Sequence, residues 1–188
     1  VTCPSGQRPR FALPDIAITG PVLPAPFISR PGLVRPEWID HNGHLNLAYY
    51  IVLFDVATDA LWASIGMDDT YLERTGCGTF AVETHTLYVN ELLEGDATTA
   101  HSLILGVDAK RLHIAHELLR DHDGAVAARH ELMFLNIDMT ARKSTPWPAE
   151  TLALIQAMHR AHAAAPQPDW TGRRIAIPPP RDRQTQPG

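Results

Sequence analysis

The chain has 188 residues, 45% of them hydrophobic and 20% charged, with a formal net charge of −5 at pH 7. That balance is ordinary for one globular domain with extensions and excludes global disorder. The acidic character, with no run of Lys or Arg, argues against a nucleic-acid surface. No stretch reads as a membrane span and no cleaved leader is expected. Cys3 and Cys77 lie far apart and make no disulfide framework, so a reduced, cytoplasmic setting is expected.

Residues 1–26 carry six prolines, too many for a helix, and read as a Pro-rich extension lying on a core or partly disordered. The main domain is expected over 27–148. It opens with a short apolar run, Phe27 to Val34, interrupted by Pro31-Gly32 and therefore a bent or edge strand. A polar loop follows. Leu47, Ile51, Phe54, Leu61 and Ile65 then recur at helical spacing, with Asn46 placed as N-cap and Gly66 as stop. Tyr50, Val52, Leu53, Val56, Ala57 and Trp62 make this helix apolar on more than one face, so it should be buried. Residues 68–75 suit one or two further helical turns.

The period then changes. Residues 78–92, 97–107, 111–120 and 125–137 are rich in Val, Ile, Leu, Thr and aromatics and read as strands. The breaks are Glu94-Gly95-Asp96, Asp108-Ala109-Lys110 and Asp121-His122-Asp123-Gly124, the last ending in a hairpin-forming Asp-Gly. Short connections predict an antiparallel meander. Residues 142–145 suit a last short strand, and Pro148 with Glu150 the first turn of an Ala-rich helix over 149–165. Residues 166–188 form a second Pro-rich tail. The fold class is α+β, a curved antiparallel sheet wrapped around one long helix, with sheet edges that oligomerisation would cover.

The densest polar cluster, Glu37 to Asn46, sits immediately before that helix. Backbone N–H groups of its first turn, Leu47, Ala48 and Tyr49, point back at the loop and favour an anion or a polarised carbonyl oxygen. Asp40 beside them is equipped to act as general base on water or as nucleophile toward an acyl group. One aimed oxyanion donor lowers such a barrier by about 3 to 4 kcal/mol. The same residue types also serve turns and caps, so Asp40, Asn42 and Asn46 equally suit a purely structural loop.

The stretch VRPEWIDHNGHLNLAYYIVLFDVATDAL resembles the opening of hotdog-fold acyl-CoA thioesterases related to the 4-hydroxybenzoyl-CoA thioesterases. RTGCGTFAVETHTLYVNELLEGD and LGVDAKRLHIAHEL resemble one branch more closely, the betainyl-CoA thioesterases of carnitine degradation. Pro36, Glu37, Trp38, Ile39, Asp40, Asn42, Gly43, His44 and Asn46 reproduce that branch's run. The likeness extends over roughly residues 30 to 150, with an echo in Gly172-Arg173-Arg174-Ile175. His41 and Leu45 stand where the branch usually has tyrosine and methionine.

The resemblance implies a hotdog fold and hydrolysis of a small acyl-CoA thioester, with betainyl-CoA the favoured substrate and no cofactor. Asp40 would act on the thioester, the helix start would bind its oxygen, and Asn46 would define that start. His44 would orient Asp40 or water, or structure the loop by hydrogen bonds. A quaternary ammonium has no donor and is recognised by aromatic faces or a carboxylate, at about 0.5 to 2 kcal/mol per cation–π contact. Trp38, Tyr49 and Tyr88 are the aromatic candidates, Asn42 a polar one, and Glu83 or Asp55 a counter-charge. Glu83, among apolar strand residues, is paired, solvent-facing or functional. For the phosphates of coenzyme A the candidates are Lys110 and Arg111, then Arg142. The expected partners are the acyl-CoA and further copies of the chain in a homodimer or homotetramer. Neither nucleic acid nor a membrane is expected.

Other chemistries fit less well. His41, His44 and Asp40 have metal-binding residue types but no fourth ligand, so no metal is expected. There is no Gly-x-Ser-x-Gly elbow and no phosphate-binding glycine loop. Hotdog hydratases carry Asp, Asn two places on, then usually Pro, and His five places on. Here His44 is four places after Asp40 and Gly43 stands in place of Pro, which favours hydrolysis. A non-catalytic acyl-CoA-binding module would not need Asp40.

Overall fold

The computed structural model describes residues 24–177, so nearly all of the expected N-terminal extension and the last part of the tail, 178–188, lie outside the described residues. Strand β1 (Phe27–Leu33) is followed by helix α1 (Leu47–Ser64), short helix α2 (Tyr71–Thr75) and strands β2 (Cys77–Tyr88), β3 (Ala97–Val107), β4 (Arg111–Arg120) and β5 (Val126–Asp138). A two-residue strand β6 (Lys143–Ser144) and helix α3 (Ala149–His162) complete the domain. The expected strands and helices are all present. β1 has the bend its Pro31-Gly32 foretold, a register shift between Ser29 and Gly32.

Topology departs from a simple meander. The sheet order is β1-β3-β4-β5-β2, so β2 and β3, consecutive in sequence, stand far apart. The Glu94-Gly95-Asp96 break does not turn the chain back on β2. Instead Gly95 N–H donates to Val34 O, and Val34 N–H to Asp96 O, both at 2.9 Å, which delivers the chain to β1. Leu92, fully buried, fixes the crossing. The Asp121–Gly124 turn does form a hairpin, with Gly124 at φ +69° and Arg120 N–H bonded to Ala125 O.

The sheet curls around α1. Asn46 caps the helix, its side chain accepting from Ala48 N–H, and Gly66 at φ +75° follows its end. Leu53, Phe54, Ala57 and Leu61 are essentially inaccessible, and burial of each large apolar side chain contributes about 1.5 to 3 kcal/mol. α1 is long and apolar enough, by length and composition, to cross a membrane, contrary to the sequence expectation. Its composition follows from its place inside the sheet.

Between α1 and the sheet lies a polar layer that the sequence reading did not single out. Thr58 Oγ1 donates to Phe54 O at 2.9 Å and contacts His116 Nε2 at 3.1 Å, while His116 Nδ1 meets Ser102 Oγ at 2.7 Å. The Thr58 proton is already used, so His116 donates through Nε2 and accepts through Nδ1. His130 bonds Thr86 Oγ1 at 2.7 Å, and Phe54 stacks on both imidazoles. Burial holds His116 down to about 3 and His130 to about 4, so both are neutral.

The outer face of the sheet is crossed by the chain after α3. Trp170 is buried there, with the Arg129 guanidinium 5.7 Å from its ring centre. Gly172 N–H donates to Glu131 Oε2 at 2.8 Å, and the other oxygen of Glu131 contacts His113 Nε2 at 2.8 Å. Beyond Ser102, which faces Phe27 at the start of β1, α3 covers the bare edge of β3. Ile104 N–H donates to His162 Nδ1 at 2.8 Å, and His162 Nε2 donates to Pro24 O at 3.0 Å.

Candidate active site

The loop between β1 and α1 is tied to the helix start at several points. Pro36–Trp38 makes a single 3-10 turn, Ile39 bridges to Leu45, and Asn46 N–H donates to Trp38 O at 2.9 Å. Within this clasp Asp40 N–H bonds His44 O and Gly43 N–H bonds Asp40 O, both at 3.0 Å. Closing so tight a turn puts Gly43 at φ +83°, a conformation that disfavours any side chain. Asp40 Oδ1 accepts from Asn42 N–H at 2.7 Å. No hydrogen bond to Asp40 Oδ2 is made among the described residues. The carboxylate is 14% exposed, sunk into the loop with one oxygen unengaged.

The first turn of α1 is narrower as an oxyanion site than its three N–H groups suggest. Ala48 N–H is taken by Asn46 Oδ1 and Tyr49 N–H by Asn46 O, each at 3.0 Å. Leu47 N–H has no acceptor among the described residues. Asn46 thereby selects one donor of the three by satisfying the other two.

Trp38 is enclosed. Tyr49 stacks on it at 5.2 Å and 13°, and the Arg35 guanidinium carbon lies 5.0 Å from its ring centre. The ring fastens the loop to α1 and is only 8% exposed. Tyr88, at the end of β2, is different: it is half exposed, with its hydroxyl donating to Leu47 O at 3.4 Å. It packs edge-on against Tyr50, whose hydroxyl donates to Asn90 O and accepts from Leu92 N–H. Burial raises the phenol pKa of both tyrosines. His44 Nδ1 is 3.2 Å from Leu45 O and 4.0 Å from Asp40 Oδ1, so its hydrogen bond structures the loop.

Asp40, Asn42, His44, Asn46, Leu47, Tyr49, Trp38 and Tyr88 thus come together. Glu83 does not join them. It lies five residues before Tyr88 on β2, about 16 Å along the strand, and is exposed. The basic candidates lie at the other end of the sheet. α1 starts among Leu92, Leu118 and Ala127 and ends among Ile104, Leu112 and Phe134. Arg111, at the start of β4, is therefore about 23 Å from Leu118 along that strand. Arg111 is held by Asp108 at 2.6 Å, and Asp108 is pulled down to about 2, first by the Lys110 N–H. Arg142 sits at φ +56° with its guanidinium 5.6 Å from the Phe80 ring centre. Among the described residues no group of three His, Cys, Asp or Glu is placed to hold a metal.

The family model for the thioesterase-like superfamily matches residues 34–155. The chain belongs to the thioesterase-like superfamily. This thioesterase-like chain is 40% identical over 148 residues to the betainyl-CoA thioesterase of Pseudomonas aeruginosa, covering 79% of itself and 93% of that protein. It is 36% identical over 142 residues to an L-carnitine dehydrogenase/betainyl-CoA thioesterase of Rhizobium meliloti, covering 76% of itself but 28% of that longer protein. Among solved structures, a Staphylococcus aureus protein in complex with CoA superposes with a TM-score of 0.75 at 30% identity, over 85% of this chain and all of that one. A putative thioesterase from Pseudomonas putida KT2440 gives 0.69 at 34%, over 82% and 98%. The curled antiparallel sheet around α1 is the hotdog fold.

Proposed function

We propose that this chain hydrolyses an acyl-CoA thioester to the free acid and coenzyme A, with betainyl-CoA as substrate. The observation that carries the chemistry is the Asp40 carboxylate, held by Asn42 N–H through one oxygen and open at the other. It stands in a loop that leads straight to the unengaged Leu47 N–H. In the base route Asp40 Oδ2 takes a proton from water as the hydroxide adds to the thioester carbon. The carbonyl oxygen gains negative charge and accepts from Leu47 N–H. The carbon–sulfur bond then breaks, and the thiolate of coenzyme A takes the proton from Asp40. If Asp40 attacks directly, it expels the coenzyme A thiolate and leaves a mixed anhydride, and water that opens this anhydride at the Asp40 carbonyl in a single turnover in ¹⁸O-water labels the Asp40 carboxylate; label there establishes direct attack, because the base route leaves that carboxylate unlabelled.

The 40% identity with a betainyl-CoA thioesterase supports the acyl group. Tyr88, half exposed beside Leu47, is the aromatic face best placed for a quaternary ammonium. Trp38 is enclosed and acts as scaffold. We further propose a homo-oligomer in which Lys110, Arg111 and Arg142 of a neighbouring protomer approach bound coenzyme A. The free, buried Cys77 accords with a cytoplasmic setting. An acyl-CoA panel read by thiol release tests the substrate: betainyl-CoA is expected to turn over faster than acetyl-CoA or benzoyl-CoA. A clear preference for either of those removes the betainyl assignment, and no thiol release from any acyl-CoA removes the hydrolase reading.

A further inference from the structure

We propose that the outer face of the sheet carries a second ligand site, for a short zwitterion whose carboxylate and ammonium lie one or two carbons apart. Between Ala165 and Trp170 the segment after α3 encloses, with the sheet, a cavity of about 320 Å³. That volume suits a small molecule. The cavity is separate from the Asp40 loop. Ser102, His116 and His130 point inward to α1, so their sequence neighbours His101, Ala115, Glu117 and Arg129, which line the cavity, face the other way.

Strand register builds the floor. His101, Glu117 and Arg129 oppose one another across β3, β4 and β5, and Ala115 puts a single methyl at the centre of the next row. The charges there are fixed but not saturated. Arg129 Nε donates to Glu117 Oε1 at 2.9 Å, and the guanidinium lies 5.7 Å from the centre of the Trp170 ring. Its two terminal nitrogens and Glu117 Oε2 make no hydrogen bond among the described residues. Neither do the side chains of His101 and Asp169, which also line the cavity.

Ligand classes meet these groups differently. A plain anion faces Glu117 and Asp169, and a plain cation faces the guanidinium. An apolar molecule strips water from all of them and replaces none of it. A zwitterion laid antiparallel to the Glu117–Arg129 pair satisfies both ends. Its carboxylate accepts from the terminal nitrogens of Arg129, and its ammonium lies against Glu117 Oε2. Adjacent strands stand about 4.8 Å apart, which matches charges separated by one or two carbons and not those at the ends of a long chain. The buried Trp170 and the bond from Gly172 N–H to Glu131 hold the roof in place before a ligand enters. Betaine, the acid that the proposed reaction releases, is such a molecule. Only this link to product rests on that reading, and the thiol-release panel tests it separately.

The indole N–H resonance of Trp170, assigned by its loss in Trp170→Phe, reports on the site in the full chain. Glycine betaine is expected to shift it saturably, with a dissociation constant on the order of millimolar for so small a ligand. Tyr88→Leu, which removes the aromatic face beside Leu47, is expected to leave that titration unchanged. Arg129→Gln is expected to weaken binding about ten-fold. Glu117→Gln, which keeps the Oε1 acceptor for Arg129 and with it the local packing, is expected to do the same. Choline lacks the carboxylate and acetate lacks the cation, and each is expected to bind about ten-fold more weakly than betaine. A resonance that betaine does not move, or a dissociation constant that either charge removal leaves unchanged, overturns the site. Choline or acetate binding as tightly as betaine overturns the zwitterion. Loss of the titration in Tyr88→Leu traces the shift to the Asp40 site and overturns the proposal as well.

Discussion

Asp40 is held through one oxygen and free at the other, and this asymmetry makes its replacement informative. Asparagine keeps the Oδ1 acceptor for Asn42 N–H and removes only the basic oxygen. Asp40→Asn is therefore expected to lower turnover by roughly 10²- to 10⁴-fold while the thermal midpoint stays within a degree or two. A collapse of the midpoint instead would mean that the carboxylate serves the turn. His116 and His130 make a second case. Their folded values, about 3 and about 4, lie below the 6.5 of an unconstrained imidazole. As pH falls below 6.5 the unfolded chain takes up protons first, so stability is full above that pH and declines from there toward about 4. The slope is on the order of 1.4 kcal/mol per pH unit for each histidine. Urea midpoints measured between pH 7 and about 4.5 check this, and a flat profile would contradict it.

α1 shows how an element's ends and middle differ in legibility. Its span, its Asn46 cap and its Gly66 stop were readable because capping and apolar spacing are local. So was the Asp40 loop, because polar residues crowd a short gap ahead of a buried helix. Its polar neighbours were not: His116 and His130 sit in alternating strands where sequence cannot say that Thr58 and Ser102 lie opposite. The place of β2 was equally hidden, since it depends on Val34 capturing residues 95 and 96 across 60 positions of chain. Nor could spacing reveal that Ala48 and Tyr49 N–H are consumed by the cap. That consumption gives Asn46 a testable role. Asn46→Ser preserves a side-chain acceptor and is expected to keep most activity and stability. Asn46→Ala is expected to cost about 1 kcal/mol and to lower kcat, because the helix start frays where the thioester oxygen would sit. Chemical denaturation and steady-state kinetics on both variants make the comparison.

At the scale of the molecule, the two faces of the sheet are covered by different means. The inner face wraps α1, while the outer face is partly roofed by the segment after α3, anchored by Trp170 and Gly172. Trp170→Ala removes a buried ring and the platform under Arg129. It is expected to cost about 3 to 5 kcal/mol, seen as a lowered urea midpoint, with kcat little changed because Asp40 lies on the inner side. A loss of turnover with unchanged stability would instead tie the roof to catalysis.

The imidazole of His116 carries a further consequence. Its Nε2 proton, donated to Thr58 and shut away from water, should exchange slowly enough to give a resolved downfield resonance in a proton NMR spectrum. Because one bonding partner belongs to the helix and the other to the sheet, that single line is a native reporter, without any label, of whether helix and sheet remain docked.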